Sequence, residues 1–139
     1  MTTSAQQQLY AAIKAMSGQA RILTIPRLFV TLTKSHRAAL VLSQCIYWSD
    51  KSRIGGGWFY KSFAEWHEEL GIPKQGMMTA VRTLTDGGWL EVQVKKAAGA
   101  PTTHYRVVMS KLADDLGALF DSTETVLSDS TENGQSSIA

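Results

Sequence analysis

The stretch "GIPKQGMMTAVRTLTDGG", residues 71–88, decides how this chain is read. Gly71-Ile72-Pro73 breaks one element, and Gly87-Gly88 breaks the next. Between them the spacing predicts one helix of about four turns. Met77, Ala80, Val81 and Leu84 recur at helical intervals and form its apolar face. Lys74, Gln75, Met78, Thr79 and Arg82 are left on the other face. Pro73 is expected at the first helical position, where a missing N–H costs least. Such a helix either reads a partner with its polar face or is a plain core helix, and its flanks have to decide between the two.

Upstream, Ser62-Phe63-Ala64-Glu65 fits a capping box, with a hydroxyl at the cap and a carboxylate three residues later. A helix is expected from there to Leu70, burying Phe63, Trp66 and Leu70 and leaving Glu65, Glu68 and Glu69 on a solvated face. Residues 58–62, WFYKS, read as a short strand. The three glycines 55–57 end a loop that begins at Asp50. Residues 35–49 carry the strongest helical pattern, with Ser35 as a candidate N-cap. Downstream, residues 89–96 alternate, placing Leu90, Val92 and Val94 inward. AAGAP is a turn, and residues 102–109 alternate back with Tyr105, Val107 and Met109 inward. The result is a β-hairpin carrying Lys95 and Lys96 at its tip. The order helix, strand, helix, tight turn, helix, hairpin is that of an α+β winged helix-turn-helix, with a three-helix core and a hairpin wing. The agreement of caps, turn and alternation supports it more than any one motif does.

The ends of the chain differ from its middle. Leu9, Ile13 and Met16 share one face of an extra N-terminal helix in residues 1–20, which must dock on its own domain or on a second copy as a homodimer. Residues 22–32 suggest an extended segment with a turn of helix from Pro26 to Val30. The winged-helix domain is expected over residues 21–119. Residues 120–139 are polar and acidic, repeat Asp-Ser-Thr-Glu at 121–124 and 129–132, and are expected to be a disordered acidic tail. All 14 basic residues and six of the 12 acidic ones lie in residues 1–112, a net of +8, whereas residues 113–139 hold six acids and no base, a net of −6. A basic body points to a polyanion, and an acidic tail to a solubilising one. No apolar run is long enough for a membrane helix, no signal-peptide pattern opens the chain, and Cys45 is the only cysteine, so a cytoplasmic setting without disulfides is expected.

The segments "LSQCIYWSDKS", "GWFYKSFAEWHEELGIPK" and "LTDGGWLEVQVKKAAGAPTTHYRV" resemble the winged-helix domain of phage and mobile-element replication proteins, of the replication-initiator or replisome-organiser type. The resemblance covers residues 22–112 and is most specific at Tyr47-Trp48-Ser49, at Gly57 to Lys61 and at Pro101 to Arg106. It implies binding of double-stranded DNA in replication initiation or its control, with a replication protein as a further partner. Pro73 departs from the Ser or Thr that usually caps the reading helix in that family. Met78 and Thr79 depart from its usual basic residues.

The expected DNA contacts are Lys74, Gln75, Met78, Thr79 and Arg82 on the reading helix, Lys95, Lys96, His104 and Arg106 on or near the wing, and Lys61 and Ser62 at a helix start facing the phosphates. Against each stands a plainer role: a solvated helix face, edge-strand charge that blocks strand pairing, or a simple cap. Trp48, Trp58, Trp66 and Trp89 fit core packing better than single-strand stacking. His36, His67, His104 and Cys45 lack metal-ligand spacing, the glycine run lacks the lysine of a phosphate loop, and no nucleophile or cofactor motif appears, so neither an enzyme nor a cofactor is expected. Two other functions fit the same residues: a transcriptional regulator with this fold, and a winged helix that binds proteins.

Overall fold

The computed structural model describes residues 3–16 and 23–122. Helices α1 (Thr3–Met16), α2 (Arg27–Thr33) and α3 (His36–Ser49) are followed by strand β1 (Trp58–Tyr60), helices α4 (Phe63–Leu70) and α5 (Lys74–Asp86), and strands β2 (Leu90–Ala97) and β3 (Ala100–Val107). A sixth helix, α6, covers residues 109–122. The fold is α+β: six helices and one three-stranded antiparallel sheet of order β1-β3-β2 among the described residues. No helix among them is long and apolar enough to cross a membrane.

The local signals act largely as expected. Ser35 accepts the Ala38 N–H at 3.0 Å and starts α3. Ser62 and Glu65 form the reciprocal capping box of α4. Gly71 closes α4 at φ +73°, a left-handed conformation in which a side chain is strained. Pro73 serves as the N-cap of α5 rather than as its first helical residue, and its carbonyl accepts the Met77 N–H. α2 continues through Thr33, where only a turn of helix from Pro26 to Val30 is expected from the sequence. Pro26 starts it, and Phe29 is drawn wholly into the core.

The hairpin turns on Ala98 and Gly99, both at positive φ, as a two-residue turn between twisted strands requires. Its strands therefore meet one pair from the turn, Ala97 opposite Ala100, and β3 starts two residues earlier than the alternation suggested. Leu90 is buried, yet Val92 and Val94, expected inward, are exposed. The alternation persists, but the outer half of the hairpin extends past the core it was expected to cover. Met109, also expected on the strand, instead begins α6, directly after the Val108 N–H bonds the Trp89 carbonyl.

The core is centred on α3, which buries Ala38, Ala39, Val41, Leu42, Cys45 and Ile46 between the sheet and α5. Phe59, Trp66 and Tyr105 form an aromatic cluster with centroids 5.4–6.2 Å apart. Burial pushes the Tyr105 phenol up to about 12. α6 adds Leu112, Ala113 and Leu116 to the same core, and its Asp115 accepts the Trp89 indole N–H at 2.7 Å and an ion pair from Lys111. The Lys111 ammonium, and then that indole, hold the Asp115 carboxyl below the usual carboxylate range. Residues 120–122, placed in the expected tail, continue this helix, and the remainder of the tail lies outside the described residues. α1 packs on α3 with Ile13 fully buried and Leu9 and Tyr10 against the core. The face invoked for a homodimer is thus turned onto its own domain, apart from Met16, whose side chain lies outside the described residues.

Candidate functional site

Three features position α5. Ile72, 6% exposed, pins the turn that follows Gly71. Gly76 lets α3 come close: a Cβ there would lie 2.8 Å from the Arg37 Nη1. Gly76, Met77, Ala80 and Leu84 are buried. At about 100° per residue these four occupy one sector, and Lys74, Gln75, Met78, Thr79 and Arg82 span the opposite one. All five of those outward residues are exposed. The structure therefore assembles the five expected contacts of this helix into one continuous surface.

The surface is more apolar and less charged than its architecture suggests. Met78 is 42% exposed. The Thr79 hydroxyl donates to the Gln75 carbonyl at 3.1 Å, which leaves its lone pairs outward as acceptors. Lys74 lies over the Phe63 ring at 5.4 Å, and Arg82 has no ion pair among the described residues. Arg37, which sequence reading passed over, adds a charge beside the first turn of α5. Its place follows from the α3–α5 packing at Gly76, a contact 39 residues apart that no local pattern reveals. On the hairpin, Lys95 pairs in register with Thr102 and Lys96 with Pro101, and both lysines are exposed.

The other four expected contacts do not join this surface. Lys61 is only 7% exposed; its ammonium pairs with Glu69 and lies 3.9 Å from the Trp48 ring centroid and 5.0 Å from that of Trp66. That charge is satisfied inside the protein and is not presented to a phosphate. Glu69, expected on a solvated face, is the centre of the cluster: it also accepts from Gln44 Nε2 at 2.9 Å and from Trp48 Nε1 at 2.6 Å. Ser62 is fully engaged as a cap, and the Glu65 carboxylate closes the same helix start, a poor setting for an anion. His104 is 6% exposed, with its Nδ1 2.9 Å from the Thr102 carbonyl and its ring 5.2 Å from that of Tyr60. Arg106 is half-buried and held by Glu91 through Nε and Nη2.

No family model matches the chain, and no curated protein or solved structure matches it either. Function is therefore argued from these residues. Among the described residues no group of His, Cys, Asp and Glu is placed to hold a metal ion. Cys45 is fully buried, and desolvation pushes its thiol far above the ordinary range, so it is not an activated nucleophile. What remains is an outward helix face of mixed polarity beside a projecting, lysine-bearing hairpin.

Proposed function

We propose that this chain is a winged-helix protein that binds double-stranded DNA sequence-specifically, in replication initiation or its control on a phage, plasmid or integrative element. The observation that carries the DNA reading is the outward face of α5, with Lys74, Gln75, Thr79 and Arg82 exposed opposite the buried stripe. The order α3, β1, α4, α5, β2, β3 and the sheet order β1-β3-β2 agree with it, since α5 follows a tight turn and packs against β2 at the base of the hairpin. In this reading α5 enters the major groove. Arg82 and Gln75 meet base edges, Lys74 a phosphate, and Lys95 and Lys96 the flanking backbone. The replication role rests on the sequence resemblance alone.

Three cations at phosphates, Lys74, Lys95 and Lys96, predict a duplex affinity that falls on the order of 40-fold between about 50 and 200 mM salt. Fluorescence anisotropy of the full chain on a labelled duplex measures this. An affinity indifferent to salt contradicts the reading.

One observation favours a second reading, a module that binds protein. Val94 is 70% exposed, and Val92 and Met78 are exposed as well. Absence of duplex binding at low salt would select that reading.

A further inference from the structure

The sheet has a second face, turned away from the core. From the register, Trp58, Tyr60, Gln93, Lys95, His104 and Arg106 alternate onto it. Trp58 and Tyr60 stand two positions apart on β1, about 7 Å along the strand. The Arg106 guanidinium lies 5.0 Å, and the Lys95 ammonium 5.6 Å, from the Trp58 ring centroid. Tyr60 rests on His104 and is still 45% exposed, more than any other aromatic ring of the described sheet. It also forms a wall of a pocket of about 470 Å3, whose other walls include Trp48, Lys51, Arg53 and Ile54. The pocket is an open cleft, of a volume within the range of small-ligand sites.

We propose that this outer face and the adjoining pocket form a second site, which binds single-stranded nucleic acid. Three observations select that occupant. The face offers ring surfaces, and unpaired bases have planes to stack on them, whereas an intact duplex presents chiefly phosphates. Charge at its margin is mostly cationic: Lys51, Arg53 and Lys95 carry no ion pair among the described residues, Glu91 on the face is engaged by Arg106, and Glu65, the acid in the pocket wall, accepts the Ser62 N–H. A protein interface as a whole is instead depleted of lysine relative to the rest of the surface. The pocket lies next to Tyr60, so a strand crossing the ring can drop one base into it while its phosphates lie against Lys51 and Arg53. Of these residues only Lys95 is shared with the proposed duplex surface, and the inference does not depend on the duplex reading.

The test uses the full chain and a labelled oligothymidylate of about 12 nucleotides, which cannot form a duplex with itself. Tyr60→Ala is expected to weaken oligothymidylate binding about tenfold, the loss of one stacked base. The loop pair Lys51→Ala/Arg53→Ala, exposed and away from the core, is expected to weaken it as well and to reduce its salt dependence. Lys74→Ala/Arg82→Ala on α5 is expected to leave it unchanged, even if duplex binding is lost. Failure of the wild-type chain to bind the oligonucleotide overturns the proposal. So does unchanged affinity in the loop variant, which keeps the sheet intact, or loss through the α5 variant alone. A dimer in sedimentation that Tyr60→Ala dissolves would assign the face to a second copy and equally overturn it.

Discussion

Glu69→Ala is expected to destabilise the fold by about 3–5 kcal/mol, the usual cost of stripping the partner from a buried charge. Glu69 accepts from Gln44, Trp48 and Lys61 together. Its removal leaves the Lys61 ammonium enclosed by Trp48 and Trp66 with no counter-charge, and leaves an indole N–H and an amide without their acceptor. The aromatic faces offset part of this, since a cation over a ring gains about 0.5–2 kcal/mol. Domains of this size are stable by about 5–15 kcal/mol, so the variant is expected to be close to unfolding at 37 °C. Replacing both charges, as Lys61→Met/Glu69→Leu, is expected to cost less than Glu69→Ala alone, because no uncompensated charge remains. Urea unfolding followed by tryptophan fluorescence measures both. If the effects of Lys61→Met and Glu69→Leu, each measured alone, simply add in the double variant, the cluster is not the coupled unit described here.

The second large effect concerns binding. Lys74→Ala together with Arg82→Ala is expected to weaken duplex binding on the order of 100-fold and to lower the salt slope by about one, the share of Lys74. Both side chains are exposed on α5, so neither substitution opens a cavity, and alanine favours the helix. Thermal unfolding is therefore expected to stay within about 0.5 kcal/mol of wild type, separating lost contact from lost fold. Lys61→Met serves as the opposite control: a basic residue in the sequence whose charge is already used inside the protein. It is expected to change stability and to leave duplex affinity unaltered wherever the chain is folded.

The contrast between Lys61 and Lys74 shows what was legible in the sequence. Caps, stops and alternation are local, and they placed α3, α4, α5 and the hairpin to within a residue or two. Ser62 with Glu65 and Gly71 could be read because each acts on neighbours three or four positions away. The outward face of α5 was legible for the same reason, as helical periodicity separates it from the buried stripe. Glu69 was misread because Gln44 and Trp48 reach it from α3, and Lys61 because it joins that cluster through Glu69 and the Trp48 ring; a helical pattern says nothing about which groups meet across an interface. Val92 and Val94 were misread because alternation fixes which side of a strand a residue takes, but not how far the core extends beneath it. α6 was overlooked because its stripe of Leu112, Ala113 and Leu116 lies among acidic residues that weaken the apolar signal, although the i, i+1, i+4 spacing was present. Trp58 was assigned to the core on residue type, whereas β1 is an edge strand and turns it outward.

The account stands on α5 and the hairpin being the surface that meets duplex DNA. Titrating the 15N-labelled chain with a bound duplex and following each backbone amide reads this residue by residue. The account predicts that the shifts concentrate in residues 74–82 of α5 and 94–100 of the hairpin, with α1 and the buried stripe of α3 unchanged. Shifts confined to other surfaces, with the amides of α5 unmoved, would contradict it.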